Sequence, residues 1–317
     1  MLLDEVLELA ARSPRWSRLE LREDLERAFQ FFYPDAVHEG YMPDVVDFFS
    51  ALRTYLDVGA GLPGGFKDAP SLYRSLRLAI AQVLVERTKE ARQAIKASHP
   101  DLDEIVQPGN IVITSNWDVL IERYAQQHGV PVRLSGTGDS EELVLLKLHG
   151  SVDWCIGGQT RKKGTVRNYA TLSERMFATR SYQPSIPSKL DRAQMALRMR
   201  AIENWGRAWR IISSFSAEPY MVTMARGKTG DLGPLGNVWR DAYGALSRAR
   251  SLEIIGYSMP PDDIEIRTLL RAGVQRGEDL DGVIVRNPAP EVHLRVRQYL
   301  DRRVESDYRG VALPESI

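Results

Sequence analysis

One segment, residues 111–122 with the sequence IVITSNWDVLIE, constrains the fold of this chain more than any other. It opens with a short run of apolar, mostly β-branched residues, which is typical of a strand buried on both faces of a sheet. Polar residues follow, and Leu120, Ile121 and Tyr124 then recur at helical spacing. A buried strand that leads through a polar turn into a helix predicts an α/β protein with a parallel sheet.

Two later segments repeat this pattern. Residues 143–150, LVLLKLHG, form an apolar run that delivers His149 at its carboxyl end. Residues 252–258, LEIIGYS, end in a glycine, a tyrosine and a serine. Ligands of open α/β sheets bind beside the carboxyl ends of the strands. We therefore expect the three strand ends to form one ligand crevice.

The first hundred residues are predicted to be almost entirely helical. Between two of the helices, residues 59–64 (GAGLPG) satisfy the G-x-G-x-x-G pattern of a phosphate loop letter for letter. That loop works only between a strand and the amino end of a helix, whereas the residues before Gly59 have helical periodicity. An interhelical loop is the preferred interpretation. Apolar periodicity predicts helices over residues 2–13, 19–32, 44–57 and 70–98.

From residue 111 onwards strands and helices alternate, with no internal repeat. The interval 157–185, rich in glycine, lysine, arginine and serine, is predicted to be a loop. Strands are predicted at 111–115, 130–134, 143–148, 151–156, 220–223, 252–256 and 282–286. Helices are predicted at 189–213, 237–249, 263–275 and 290–303.

Composition narrows the classes of protein to which the chain can belong. The 42 basic residues balance the 42 acidic ones, which gives no electrostatic argument for binding nucleic acid or an anionic membrane. The single cysteine, Cys155, excludes an internal disulfide and a cysteine-based zinc ribbon. No apolar run approaches the roughly 20 residues that span a bilayer, and the acidic first residues are unlike a signal peptide. We expect a soluble cytoplasmic protein with no direct nucleic-acid or membrane partner.

Four short blocks resemble a known family. Residues 114–118 (TSNWD) resemble the Thr-x-Asn-x-Asp block of sirtuins, the silent information regulator-like proteins that consume NAD. Residues 148–151 (LHGS) resemble the histidine motif of that superfamily, and residues 255–260 (IGYSMP) resemble the form found in its bacterial, zinc-free branch. Residues 285–288 (VRNP) resemble the later strand whose asparagine approaches the adenosine ribose. Each block alone could be a turn, a helix cap or a strand exit, but their joint occurrence in this order favours the family.

The resemblance implies a Rossmann-like parallel sheet, NAD as the substrate and cleavage of the bond between nicotinamide and ribose. It implies that Asn116 positions water or the ribose hydroxyls, that Asp118 orients the nicotinamide end, and that His149 is the general base. The residues that it implies in NAD binding are Thr114, Ser115, Gly150, Ser151, Gly256, Tyr257, Ser258 and Asn287. Among them, the glycine and serine of the GYS block would approach the phosphates, and Asn287 the adenosine ribose.

Two departures from the family qualify that expectation. Deacylating sirtuins carry a zinc module, which a chain with one cysteine cannot form, so NAD hydrolysis in bacterial antiphage defence is expected rather than deacylation. The first strand of the family and its Gly-Ala-Gly loop are not visible at the amino end, where residues 2–12 look like the helix that follows them. A catalytically impaired module that binds NAD or ADP-ribose, or serves assembly, therefore remains an alternative, as does an NAD-dependent protein deacylase.

The expected organisation follows from the same comparison. Residues 1–13 and 106–317 would form the sirtuin-like domain, with its first strand absent, and residues 14–105 an inserted helical subdomain. NAD would be the substrate and zinc would be absent. A homo-oligomer or a partner protein of a defence system would complete the assembly.

Overall fold

The protein is a mixed α/β protein with parallel strands, as its sequence predicts. The computed structural model describes residues 2–13, 20–41, 44–58, 69–94, 99–136, 141–156, 189–190, 218–223 and 235–310. The glycine-rich segment 59–64, the predicted loop 157–185 and most of the predicted helix 189–213 lie outside these residues.

The amino-terminal part is helical and packs around the long helix α5. Its helices are α1 (Leu2–Arg12), α2 (Leu21–Phe32), α3 (Pro34–Glu39), α4 (Val45–Val58), α5 (Ala69–Ala94) and α6 (Pro100–Ile105). Glu5 of α1 forms an ion pair with Arg87 of α5. Arg12 of α1 donates to Glu86 of α5 at 2.8 Å. Among the described helices, none combines the length and the apolar character that a membrane crossing requires.

The four helices predicted in this part are confirmed to within a few residues at each end, but two short helices were missed. Both α3 and α6 begin with a proline, at Pro34 and Pro100. Proline ends a preceding helix and is equally favourable in the first turn of a new one, where no N–H is needed. A proline in the sequence therefore indicates where one helix ends, but it does not show that a new helix begins there.

A four-stranded sheet follows these helices. Strand β1 (Ile111–Thr114) leads into helix α7 (Leu120–His128), and β2 (Val132–Arg133) and β3 (Leu143–Lys147) come next. The strand order is β1-β3-β2-β5, with β1, β2 and β3 parallel. Strand β5 (Lys189–Leu190) pairs antiparallel with β2, so the helix predicted from residue 189 is wrong for these two residues. Their pairing with β2, which is distant in sequence, overrides the helical preference of the local sequence.

The remaining strands form two further sheets. Strands β4 (Gly150–Ile156) and β6 (Glu218–Met221) are antiparallel. Strands β7 (Ser251–Ile255), β8 (Gly282–Arg286) and β9 (Val304–Asp307) form a parallel sheet. Helices α8 (Gly236–Ser247), α9 (Ile264–Arg276) and α10 (Pro290–Leu300) accompany it. The sequence predicted α10 to reach residue 303, but Asp301 adopts a left-handed backbone with φ 52°, which ends the helix and allows β9 to form.

Strand β3 lies between two hydrophobic cores. All five of its side chains are buried. Leu143 and Leu145 belong to the core that includes the amino-terminal helices, whereas Val144 and Leu146 belong to the core around α8, α9 and α10. Alternate side chains of a strand point to opposite faces, so one strand supports both cores. The prediction that residues 143–148 form a fully buried strand is confirmed for residues 143–147.

Arg286, the last residue of β8, ties the segment before β1 to the second parallel sheet. Arg286 is 2% exposed, and its guanidinium pairs with Asp101 at 3.0 Å and Glu104 at 2.9 Å, both from α6. It also pairs with Glu253 of β7 at 2.6 Å and Asp307 of β9 at 3.4 Å. A buried arginine requires such partners, because an unpaired charge in the interior is strongly unfavourable.

Glu253→Gln is expected to stabilise the protein at neutral pH. Burial raises the pKa of Glu253 above its usual value, and the attraction of Arg286 offsets this only in part. A carboxyl group with a raised pKa binds its proton more tightly in the folded state, so its contribution to stability falls as the pH rises. We expect the variant to melt about 2 °C above the parent at pH 7 and at the same temperature near pH 4.

Glu305→Gln is the control for that change, because Glu305 faces Ile284 of β8 from the neighbouring strand but is exposed. Its replacement should leave the pH dependence of unfolding unaltered. A lower melting temperature of Glu253→Gln at pH 7 would show that its ion pair with Arg286 outweighs the cost of burying the carboxylate.

Candidate functional site

The carboxyl ends of β1, β3 and β7 open into one cavity of about 440 Å³. This volume is within the range of small-molecule sites. Helices α1, α4 and α5 of the amino-terminal part contribute Leu2, Val46 and Leu84, which gives the cavity an apolar wall. Seven of the predicted site residues line it, namely Ser115, Asn116, Asp118, His149, Gly256, Tyr257 and Ser258. The cavity thus collects residues from all three segments that the sequence singled out.

The turn after β1 presents Asn116 and Asp118. The N–H of Asn116 donates to the hydroxyl of Thr114 at 3.1 Å. The N–H of Leu120 donates to a carboxylate oxygen of Asp118 at 2.9 Å, which satisfies an amide at the start of α7. Asp118 therefore accepts a hydrogen bond at the start of α7 and also lines the cavity, so its role in the helix does not prevent it from contacting a ligand.

The segment after β3 brings His149 into the same cavity. The N–H of Leu148 donates to the carbonyl of Thr114 at 2.8 Å, and the indole N–H of Trp239 donates to the carbonyl of Leu148 at 3.0 Å. The carbonyl of His149 accepts from the N–H of Val222 at 2.8 Å. These bonds fix the backbone on both sides of the His149 side chain, and the residue as a whole is 5% exposed.

The residues after β7 form the third wall. Gly256 has φ +66°, and a Cβ added there would meet nothing within 4 Å. This leaves open space at a point where a ligand can approach the backbone. The hydroxyl of Tyr257 donates to Asp263 at 3.0 Å. Burial, followed by the negative charge of Asp263, raises the pKa of Tyr257, so its phenol stays protonated at neutral pH.

Four predicted site residues do not line the cavity. The hydroxyl of Thr114 accepts from the turn, Gly150 and Ser151 are buried at the start of β4, and Asn287 is buried after β8. The side-chain oxygen of Asn287 accepts from the N–H of Ala289 at 3.0 Å, and its backbone carbonyl lies 2.6 Å from His293 Nε2. In this arrangement the amide oxygen of Asn287 stabilises a local turn.

The sequence interpretation missed residues that the fold brings to the site. Arg87 and Thr88 of α5 line the cavity, although they are distant in sequence from the strands. Lys147, the last residue of β3, is 1% exposed directly beside the cavity residues. The sequence contains a signal for Lys147, because it is a lysine within the apolar run LVLLKLHG. A lysine is almost never buried without partners.

The charges around the cavity are mainly negative among the described residues. Asp118, Asp262 and Asp263 line it, and Arg87, the arginine among them, is paired with Glu5. Carboxylates at short range stabilise positive charge that develops on a ligand. A histidine beside them suits proton transfer near neutral pH. The cavity is therefore equipped for a reaction in which a cationic centre forms and water loses a proton.

Comparison with known proteins assigns no family to this chain. No protein-family model matches its sequence, and no curated protein matches it. Its function is inferred from the residues that line the cavity.

Proposed function

We propose that this chain is a sirtuin-like NAD hydrolase of the zinc-free bacterial branch, with a Rossmann-like parallel sheet, acting in the cytoplasm in antiphage defence. One observation carries the proposal: Asn116, Asp118 and His149 come from two separate strand ends and line one cavity. The Gly256-Tyr257-Ser258 segment closes the same cavity from a third strand.

Hydrolysis of NAD can be described with Asn116, Asp118, His149 and one water molecule. The bond between nicotinamide and ribose breaks, its electron pair leaves with the nicotinamide nitrogen, and the ribose carbon becomes oxocarbenium-like. Asp118 stabilises that positive charge. Asn116 orients a water molecule through its side-chain amide, and His149 accepts the proton that the water loses as it attacks. The products are nicotinamide, ADP-ribose and one proton.

The remaining predicted residues contribute to binding. Gly256 leaves room for the phosphates to approach the backbone, and the hydroxyl of Ser258 donates to them. Ser115 lies beside the ribose. Gly150 and Ser151 follow His149 directly at the start of β4 and help to fix its backbone. The adenosine end extends towards the turn that Asn287 stabilises.

Incubation of the purified protein with NAD tests the proposal. We expect release of nicotinamide in the absence of any acylated peptide. Release that begins only when an acetyl-lysine peptide is added, together with loss of the acetyl group, would instead identify a deacylase.

A binding or assembly module is the second candidate, and the strand order favours it. Within the described residues, β1 is hydrogen bonded only to β3 and β7 only to β8, so both lie at the edge of their sheets. The carboxyl ends of both edge strands open into the cavity, whereas a complete Rossmann-like sheet would be continuous. ADP-ribose binding without nicotinamide release, in a homo-oligomer or with a defence-system partner protein, would support this candidate.

A further inference from the structure

Lys147 is buried beside the cavity and uses its whole hydrogen-bonding capacity. Its ammonium group has three N–H donors, and it finds three acceptors. They are a carboxylate oxygen of Glu122 at 3.0 Å, the hydroxyl of Ser151 at 2.9 Å and the backbone carbonyl of Asp118. Glu122 is also 1% exposed, so this is an ion pair removed from solvent.

The three acceptors lie on three different elements. Glu122 is in the first turn of α7, where the helix dipole also favours a negative charge. Ser151 is in β4, and Asp118 is in the turn after β1. Lys147 therefore joins α7, β4 and the turn at a single atom, two residues before His149.

Its bonds converge on the turn that presents Asn116 and Asp118. Lys147 holds the carbonyl of Asp118 directly. The hydroxyl of Ser151 donates to the carbonyl of Trp117 at 3.3 Å, so two successive carbonyls of the turn are held by one network. The backbone of the turn is thereby fixed to the strand that carries His149.

Stability alone is a weak reason for such an arrangement. The cost of desolvating two charges offsets most of their attraction, and apolar residues of similar volume are often as stable. Removing only one partner is strongly unfavourable, because the other charge is left buried. Apolar residues in place of the ion pair could not reproduce the network of hydrogen bonds to the backbone carbonyls of Trp117 and Asp118.

We infer that Lys147, with Glu122 and Ser151, is a positioning residue that sets Asn116 and Asp118 at the correct distance from His149 for NAD cleavage. This inference rests on the proposed function for its catalytic consequence only. The geometric part, restraint of residues 115–120, is measurable without turnover.

The test is the double variant Lys147→Met with Glu122→Leu, which removes both charges together. We expect it to melt within about 4 °C of the parent. Amide hydrogen exchange in residues 115–120 should rise about tenfold, with little change elsewhere. Its kcat for nicotinamide release should fall about 100-fold while KM changes less than about threefold, because a displacement near 1 Å is sufficient for such a loss.

The matched control removes another ion pair from the same sheet. Arg133 of β2 pairs at 2.7 Å with Glu142, the residue immediately before β3, and neither residue lines the cavity. Arg133→Met with Glu142→Leu should leave exchange in residues 115–120 and kcat at the level of the parent. Ser151→Ala is a second variant that keeps the Lys147–Glu122 ion pair and should raise exchange in the same residues about fivefold.

The outcomes separate the two proposals. Exchange in residues 115–120 that stays at the parental level in the folded double variant, or in Ser151→Ala if the double variant does not fold, overturns the positioning role. An equal rise in the Arg133 and Glu142 control overturns it as well. A selective rise in the double variant, when the parent protein itself releases no nicotinamide, supports the positioning role and rejects the hydrolase.

Discussion

Replacing His149 with alanine is expected to lower kcat for nicotinamide release by about 10²–10⁴-fold, the range that a general base contributes. The reason is that no other described residue lining the cavity offers a base with an ordinary pKa near neutrality. Binding should be retained, because the change removes an interaction made mainly in the transition state. Steady-state kinetics that follow nicotinamide, with KM reported separately, measure the effect.

His38→Ala is the matched control, because His38 lies on α3 and is exposed. It should keep the parental kcat. Asn116→Ala should lose activity to an extent comparable with His149→Ala, since orientation of the water and its deprotonation serve one step. A His149→Ala variant with parental kcat would remove the histidine from the reaction and reject the proposed mechanism.

Gly150→Ala is expected to destabilise the protein by about 4 kcal/mol, which is most of the stability of a marginal domain. A Cβ at this position would stand 2.1 Å from the carbonyl oxygen of Tyr220, an approach that only displacement of β4 from β6 can relieve. The forced repacking costs about 1–3 kcal/mol. The backbone at φ +78° adds about 1–2 kcal/mol for any residue with a side chain.

Gly136→Ala separates these two contributions. Gly136 has φ +77°, but a Cβ there meets nothing within 4 Å. Its replacement should therefore cost only the backbone contribution, about 1–2 kcal/mol. Denaturant unfolding of both variants gives the difference. Equal losses would show that contact with Tyr220 contributes nothing to the requirement for glycine.

Much of this architecture could be predicted from local patterns. Apolar periodicity and β-branched runs located the longer helices that the structure describes and most strands, and three strand ends identified seven residues that line the cavity. Such patterns succeed where an element is buried, as in β3, because burial on both faces leaves few polar residues. The same patterns gave no warning of β9, whose formation depends on the left-handed backbone of Asp301.

The remaining site residues depend on contacts between distant parts of the chain. Arg87 and Leu84 reach the cavity because α5 packs against β4, β6 and α7, which are distant from it in sequence. The sequence offers Asn287 as a ligand, but whether its amide faces a ligand or a turn depends on the position of Ala289. Lys147 was visible as a charge in an apolar run, yet its three acceptors come from separate elements.

Alternate side chains of β3 pack in different hydrophobic cores, and this affects how the protein unfolds. Leu145 packs in the core of the amino-terminal helices, and Leu146 packs in the core around α8, α9 and α10. Loss of either core would therefore expose one face of the same five-residue strand. We therefore expect denaturation to proceed in a single transition, in which the helical and carboxyl-terminal portions unfold together and the cavity around His149 is lost at the same time.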